Sequence, residues 1–147
     1  MVLDYYQRQK RLLQHDYRSD LEKVLFILSL SNKHENWNIK DIQRLVIPPL
    51  KLNQYRIYVD EEVPLCYASW AMLPEEAEEG YKNRTRKIQP HDWNSGDNLW
   101  LIDVICPFGG TRIAIKRLDN LRKELGLPNK VNFKRLGSNR VNNVERI

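Results

Sequence analysis

The stretch Leu99-Trp-Leu-Ile-Asp-Val-Ile105 decides how the rest of the chain must be arranged. It is almost continuously apolar, as expected of a strand that is covered on both faces. Pro107-Phe-Gly-Gly110 ends the strand, and apolar residues at helical spacing then predict a helix from Ile113 to Leu125. A buried strand followed by a helix indicates a sheet with helices packed against it.

The residues before this strand predict helices first and a hairpin second. Ser19 to Glu22 has the form of a capping box, which predicts a helix from about residue 20 to 30. Asn38 can cap a second helix, which Pro48-Pro49 stops or kinks. Alternating apolar residues over 55–59 and 65–71 predict an antiparallel hairpin, and 74–88 predicts an exposed helix.

The C-terminal part has a weaker pattern. Residues 131–136 predict a last strand, and 137–147 are polar without periodicity, which predicts a flexible tail. The length of 147 residues fits one domain, 1–147, with a charged N-terminal extension over 1–20. The order of the elements predicts an α+β fold with a mixed or antiparallel sheet flanked by helices.

Positive charge is concentrated in the C-terminal third. The net charge is +5, and from Val104 onward ten Lys or Arg residues face three Asp or Glu residues. Such a basic region suits an acidic partner, which could be a nucleic acid, an anionic membrane surface or an acidic protein, or it is a solvated face without a partner. Four Trp and seven Tyr could stack on bases, but most lie in predicted strands, so core packing is favoured and nucleic-acid binding is not.

The sequence predicts a cytoplasmic protein. No apolar run approaches the roughly 18 residues of a membrane span, and residues 1–20 are charged throughout, without the apolar core of a secretory signal. Cys66 and Cys106 both lie in apolar runs and are too few for a disulfide framework. Both are therefore expected to be small buried side chains in a reducing compartment.

Asp103 is the one charged residue in the buried strand. An ionised carboxylate there requires a charged or hydrogen-bonding partner. A salt bridge or backbone amides would satisfy it structurally, and a catalytic histidine that the carboxylate orients would satisfy it functionally.

Three histidines could be that partner. His15 lies in the charged N-terminal segment and His91 in a Pro-His-Asp turn, so solvent exposure explains both. His34 lies in a loop between two predicted helices, where functional residues are often placed. Sequence separation from Asp103 does not exclude the pair, because catalytic partners meet in space.

Other chemistries find little support. A zinc site from Cys66, Cys106, His34 and His91 lacks every paired-ligand spacing, so no metal is predicted. Cys106 could act as a nucleophile near Asp103, but an inert thiol is preferred. The phosphate-binding loop, the dinucleotide-binding glycine motif and the serine-hydrolase elbow are all absent from the sequence.

Several motifs, taken in order, resemble the RTX toxin-activating lysine acyltransferases, the haemolysin-activator type. The matching stretches are His34-Glu-Asn-Trp37, Asn53-Gln-Tyr55, Pro64-x-x-Tyr67-x-Ser-Trp-Ala71, Glu76-x-Glu78-x-x-Tyr81, Trp93-x-Ser-Gly-Asp97-x-x-Trp100-x-Ile-Asp103 and Pro107-Phe-Gly109. They cover roughly residues 21–110, and so many fixed aromatic, glycine and acidic positions are far more specific than one motif.

The resemblance implies a fold and a reaction. The fold would be a variant of the Gcn5-related N-acetyltransferase architecture. The reaction would transfer a fatty acyl group from acyl carrier protein to an internal lysine of an RTX protoxin or similar protein, and so activate a cytolysin. The phosphopantetheine thioester of acyl carrier protein would be a co-substrate, no cofactor would be bound, and a homodimer would be a compatible assembly.

The resemblance also assigns residues. The family's catalytic histidine falls on His34, its catalytic aspartate on Asp103, and a serine three positions before the histidine on Ser31. His34 would act as the general base and Asp103 would orient it. The predicted helix after Pro107 would hold acidic acyl carrier protein through five basic residues, Arg112, Lys116, Arg117, Arg122 and Lys123. The rival interpretation is a non-catalytic module that binds acyl carrier protein or nucleic acid.

Overall fold

The computed structural model describes residues 16–134 and 141–145, and of the last segment it describes the backbone alone. His15, most of the predicted N-terminal extension and the remainder of the predicted tail lie outside the described residues. Within them the chain forms an α+β fold with one five-stranded mixed sheet in the order β1-β2-β3-β4-β5. The predicted class and the mixed sheet are therefore confirmed.

The first half of the chain forms three helices and the hairpin. Helix α1 spans Arg18–Ser29, α2 spans Ile39–Leu45 and α3 spans Ile47–Leu52. Strand β1 spans Tyr55–Asp60 and pairs antiparallel with β2, Val63–Leu73. Asn38 caps α2 in a capping box with Asp41, as predicted, and the two prolines lie in the first turn of α3, where a missing N–H costs nothing.

The second half adds two helices and three strands. Helix α4 spans Glu75–Asn83, β3 spans Asn98–Ile105 and α5 spans Thr111–Glu124. Strand β4 covers Lys130–Lys134 and β5 covers Val141–Glu145. β3 pairs antiparallel with β2 and parallel with β4, because α5 carries the chain back across the sheet.

The predicted cap of the first helix is wrong. Helix α1 begins at Arg18 after Tyr17, without a side-chain cap. Asp20 is instead inside the helix, and its carboxylate accepts a hydrogen bond from the hydroxyl of Tyr55 on β1. Because the helix already includes Ser19 and Glu22, neither residue stands where a capping box requires it, and the contact of Asp20 with Tyr55 holds this first turn against β1.

The prediction of a flexible tail over 137–147 is wrong for residues 141–145, which form β5. β5 pairs with all five residues of β4 in antiparallel register. Its sequence, Val-Asn-Asn-Val-Glu, shows no clear alternation. The backbone of β4 offers a free edge, and ladder hydrogen bonds do not depend on side-chain polarity, so pairing outweighs the weak sequence pattern.

Helices on the α1–α4 side of the sheet form two apolar clusters. One joins α1 and α3 to the hairpin, and the other joins α4 to β2 and β3. The buried members of the first are Val24, Ile27, Val46, Leu50, Tyr55, Tyr67 and Ile105, and those of the second are Ala71, Leu73, Ala77, Ile88, Trp93 and Trp100. β2 and β3 both contribute to the two clusters, and the other face of β3 lies against α5, which explains why the sequence of β3 is so apolar.

The glycine of the Trp93-x-Ser-Gly-Asp97 motif serves a close backbone approach. A Cβ at Gly96 would collide with the carbonyl group of Leu73 and the nitrogen of Pro74. The backbone N–H groups of Ser95 and Gly96 both donate to the carbonyl oxygen of Met72, at 3.0 Å. The motif thus fastens the start of β3 to the end of β2 and fixes where β3 runs.

Candidate active site

A bulge in β3 decides which face of the sheet Asp103 joins. Ser69 of β2 pairs with Asp103 and Trp70 pairs with Leu101, so Ile102 is an extra residue in β3. Side chains alternate along a strand, and one extra residue reverses the alternation. Asp103 therefore faces the α1–α4 side and is only 6% exposed, whereas Leu101 lies toward α5.

A short 3₁₀ helix, Asn32–His34, holds His34 directly after α1. The backbone N–H of His34 donates to the carbonyl oxygen of Ser31, and that of Trp37 donates to the carbonyl oxygen of His34, both at 3.1 Å. The Trp37 ring packs edge-on against the imidazole, with 4.7 Å between ring centroids. The imidazole is thus held in a rigid turn and is 7% exposed.

The structure brings Ser31, His34 and Asp103 together in one line. Nε2 of His34 lies 3.8 Å from Oδ1 of Asp103, which is ion-pair distance and longer than a hydrogen bond. On the other side of the ring, Oγ of Ser31 lies 2.5 Å from Nδ1 of His34. The imidazole therefore stands between a hydroxyl and a carboxylate, each facing a different nitrogen.

A cavity of about 580 Å³ opens on one end of this line. Among the described residues, Ser31 and His34 line it and Asp103 does not. Its other walls come from the turn before His34, β3, the start of α5 and β4, and include Lys33, Ile102, Val104, Cys106, Pro107, Thr111, Ile115, Phe133 and Lys134. A molecule in the cavity would therefore meet Ser31 and His34 first, with Asp103 behind the ring.

Two further polar side chains lie beside Asp103, and the sequence reasoning gave neither a role. Ser69 is opposite Asp103 on β2, and Tyr67 is fully buried. Burial raises the pKa of Tyr67, and the negative charge of Asp103 raises it further, so the phenol stays neutral. Both residues stand in the Pro64-to-Ala71 motif, but the pairing of β2 with β3, and not the predicted hairpin, puts Ser69 beside Asp103.

Two buried polar atoms in this neighbourhood, His34 Nε2 and Asp103 Oδ2, make no hydrogen bond to any described residue. The neighbouring Tyr67 and Ser69 side chains interact with each other. Buried polar groups are normally paired, because an unpaired one costs free energy. Unpaired buried polar groups often mark a catalytic role, and one of these two belongs to a residue that lines the cavity.

Lys134 places positive charge in the same cavity. Its ammonium lies 3.7 Å from the centroid of the Tyr81 ring and donates to the Tyr81 carbonyl oxygen. Burial lowers the pKa of Lys134, and the neighbouring Arg84 lowers it further. This lysine was not predicted as a site residue, because its distance from His34 in the sequence gives no signal.

The prediction of two free cysteines is wrong. The antiparallel register of β2 and β3 continues to Cys66 and Cys106, whose Cα atoms are 4.5 Å apart, and the two form a disulfide. This separation is that of a cross-strand pair without ladder hydrogen bonds, which also suits a disulfide. The argument from free thiols to a reducing compartment therefore loses its support.

The alternative zinc site also loses its ligands. Two of its four residues are the paired cysteines, and His91 is exposed beside Asp92, with Nε2 3.4 Å from Oδ1. Among the described residues, no group of three or more His, Cys, Asp and Glu side chains could hold a metal ion.

The five predicted carrier-binding residues do not share one environment. Arg112, Lys116, Arg117 and Lys123 are exposed on α5. Arg122 is 5% exposed, and its guanidinium bonds Asp119 at 3.0 Å and the Asn129 side chain at 3.1 Å. Arg122 closes the end of α5 internally, so its charge is not available to a partner. The positions of basic residues along the predicted helix did not reveal that Arg122 is buried while Lys116, Arg117 and Lys123 are exposed.

Comparison with known proteins identifies the family. The model of the RTX toxin acyltransferase family matches residues 14–147. The chain belongs to the RTX toxin acyltransferase family. The resemblance predicted from the motifs is therefore confirmed, and all three residues of the Ser31–His34–Asp103 line lie within the matched range.

Individual relatives carry names that agree with this family. The RTX-II toxin-activating lysine-acyltransferase ApxIIC of Actinobacillus pleuropneumoniae is 35% identical over 107 residues, which is 73% of this chain and 66% of the relative. The protein-lysine myristoyltransferase RtxC of Kingella kingae is 35% identical over 106 residues, 72% of this chain and 64% of the relative. The protein-lysine myristoyltransferase HlyC of Escherichia coli is 37% identical over 89 residues, which is 60% of this chain and 52% of the relative.

The chain spans just under two thirds of the length of several curated relatives that it matches. In the described part of this family member, no helix combines the length and apolar character that crossing a bilayer requires.

Proposed function

We propose that this family member is a protein-lysine acyltransferase that moves a fatty acyl group from acyl carrier protein to an internal lysine of an RTX-type protein. The single observation that carries the proposal is the Ser31–His34–Asp103 line at the edge of a cavity. The relatives named as lysine acyltransferases and protein-lysine myristoyltransferases support the reaction class. The mixed sheet flanked by helices supports the further proposal of a Gcn5-related N-acetyltransferase variant.

The reaction needs a base because the acceptor is a lysine. An amine with a pKa near 10.4 is almost entirely an ammonium ion at neutral pH, and an ammonium ion cannot attack a thioester. The lysine ammonium first releases one proton to solvent, which leaves the neutral amine. In the proposed step, the N–C bond to the acyl carbon forms, the C–S bond breaks, and a second proton of that nitrogen passes to His34. The imidazolium then returns a proton to the departing thiolate, so that free thiol and amide are the products.

The geometry favours one route for that proton. Asp103 faces Nε2, so a proton on Nε2 is stabilised by the carboxylate, and Nδ1 is then the basic nitrogen. Nδ1 accepts a hydrogen bond from the Ser31 hydroxyl, which lies on the cavity wall. We therefore propose that Ser31 relays the amine proton to Nδ1, while Asp103 stabilises the imidazolium from behind.

Replacing Ser31 by alanine is expected to lower the rate of acyl transfer by about three- to tenfold, the value of one hydrogen bond. The loss is modest because the amine could still approach Nδ1 directly. Single-turnover transfer with Ser31→Ala checks this, and Ser29→Ala is the matched control, since Ser29 bonds only the Phe26 carbonyl oxygen within its own helix. Equal rates for Ser31→Ala and the control would exclude the relay.

The donor is proposed to dock on the exposed basic side of α5. Acyl carrier protein is acidic and would be attracted by positive charge. The helix that begins beside the cavity carries four exposed basic residues, Arg112, Lys116, Arg117 and Lys123. The absence of a glycine-rich pyrophosphate loop agrees with a carrier protein and not coenzyme A as donor. The cytoplasm as the site of reaction and a homodimer as the assembly remain predictions.

Reversing charge on this face is expected to weaken donor binding by about tenfold in the double variant Lys116→Glu/Arg117→Glu. The effect should shrink as salt is added, because exposed charges are screened over about 10 Å at 0.1 M salt. Titration of the carrier protein at low and high salt measures both. The control is Lys51→Glu, an exposed lysine on α3. Equal weakening by Lys51→Glu, or no salt dependence, would place donor docking elsewhere.

The proposed function as a whole is tested by intact-protein mass spectrometry. The chain is incubated with myristoyl-acyl carrier protein and an RTX protein that carries acceptor lysines. One fatty-acyl mass on a lysine is expected, whereas a module that only binds the carrier protein would add none.

A further inference from the structure

A second, almost wholly apolar cavity lies between α5 and the sheet. It has a volume of about 150 Å³. β2 and β3 form its floor, α5 and the chain after it form its roof, and β4 closes one side, through Trp70, Leu99, Leu101, Ile115, Leu118, Leu121, Leu127, Val131 and Phe133. The two charged residues at its edge, Asp119 and Arg122, bond each other at 3.0 Å. The cavity therefore offers an incoming ligand almost only apolar surface, with one ion pair at its edge.

This apolar cavity adjoins the cavity beside His34. Leu101, Ile115 and Phe133 line both. The connection exists because β3 and β4 pair only at Trp100 with Asn132 and at Leu101 with Phe133. Beyond Leu101 the rest of β3 has no partner on that edge among the described residues, so the two strands leave an opening there.

The bulge at Ile102 gives the two cavities different chemistry. It turns Asp103 toward His34, and it leaves Leu99 and Leu101 on the α5 side. A ligand that has a polar reacting group at one end and a long apolar chain at the other would match this division. Its reacting group would lie at Ser31 and His34, and its chain would pass Leu101 and enter below α5.

We propose that the cavity below α5 binds the methyl end of the fatty acyl chain and sets the chain length that the protein accepts. This inference rests on the proposed function for the identity of the donor. A dry apolar cavity of about 150 Å³ accommodates a benzene-sized molecule, hence roughly six carbons. The remaining methylenes lie along Leu101, Ile115 and Phe133 toward the thioester at His34.

Leu118 is the residue whose size should control this selection. It lies on α5, is partly buried and lines only the apolar cavity of the two. Each methylene that is buried is worth about a fourfold gain in affinity. Leu118→Phe should exclude two or three methylenes, and Leu118→Ala should admit more.

The experiment has a transfer readout and a binding readout. In competition between myristoyl- and octanoyl-acyl carrier protein, Leu118→Phe is expected to lower the ratio of long to short chain transferred by at least tenfold, and Leu118→Ala is expected to leave or raise it. The control is Ile113→Phe, which adds the same ring on an exposed position of α5 outside both cavities. Circular dichroism verifies that each variant is folded. Because Leu118 is replaced by both a larger and a smaller side chain, the test can still be read if one of the two variants does not fold.

The binding readout separates this inference from the proposed function. Fluorescence titration with cis-parinaric acid, a slender fatty acid, is expected to show binding that Leu118→Phe weakens about tenfold and Ile113→Phe does not change. Equal affinity of the native chain and Leu118→Phe, or an unchanged chain-length ratio, would overturn the assignment of this cavity. A native chain that binds the fatty acid at this cavity but transfers no acyl group would instead overturn the proposed function.

Discussion

His34→Ala is expected to lower acyl transfer by about 10²–10⁴-fold, the usual value of a positioned general base. The variant loses the only imidazole on the cavity wall among the described residues, so the attacking lysine nitrogen has no imidazole there to take its proton. Donor binding should change little, because α5 and the apolar cavity are untouched. Single-turnover transfer and carrier-protein titration measure the two effects separately.

His91→Ala is the matched control for that substitution. The His91 side chain is 76% exposed and lies outside the described cavities. It should retain the native rate. If His34→Ala transferred acyl groups as fast as His91→Ala, His34 would not be the base.

Asp103→Asn is expected to lower transfer by about 10²-fold or more while leaving the free energy of unfolding equal or higher. The amide keeps the shape of the side chain but cannot stabilise an imidazolium. The native carboxylate is buried and its Oδ2 atom makes no hydrogen bond to a described residue, so its charge costs folding free energy that the amide avoids. Transfer kinetics and urea unfolding of the same preparation give both quantities.

Asp92→Asn should show the opposite pattern. Asp92 is equally buried, but it bonds the Arg86 guanidinium at 2.9 Å and the backbone N–H of Gln89 at 2.7 Å. Loss of a charged partner there should cost about 1–3 kcal/mol of stability and leave the transfer rate of the folded protein unchanged. A large loss of stability in Asp103→Asn, with activity retained, would make Asp103 a structural residue like Asp92.

Much of the fold could be predicted because local signals and burial agreed. The hairpin and α5 each have a clear period, the buried strand is a nearly continuous apolar run, and the Asn38 cap has its partner three residues on. Other features depend on tertiary contacts that leave no local pattern. The edge of β4 creates β5, and the contact of Tyr55 with Asp20 holds a first helical turn that begins one residue before the predicted cap Ser19.

Three residues that the structure brings together at the candidate site were proposed from the sequence, but their arrangement and the neighbouring Ser69, Tyr67 and Lys134 were not. The motifs singled out Ser31, His34 and Asp103, and burial chemistry singled out Asp103 independently. A continuous run of apolar residues cannot reveal which position bulges, so the face that Asp103 joins depends on Ile102 and the pairing with β2. The turn at His34 also decides that Nε2 of the imidazole faces Asp103 and that Nδ1 faces Ser31. No spacing in the sequence indicates this orientation.

The most direct test of the proton-accepting line is a double-mutant cycle on single-turnover transfer with the native chain, His34→Ala, Asp103→Asn and the double variant. Since Asp103 is proposed to act only through the imidazole, the double variant should be as slow as His34→Ala to within about threefold. If the two losses multiplied instead, Asp103 would act independently of His34 and the proposed line would be contradicted.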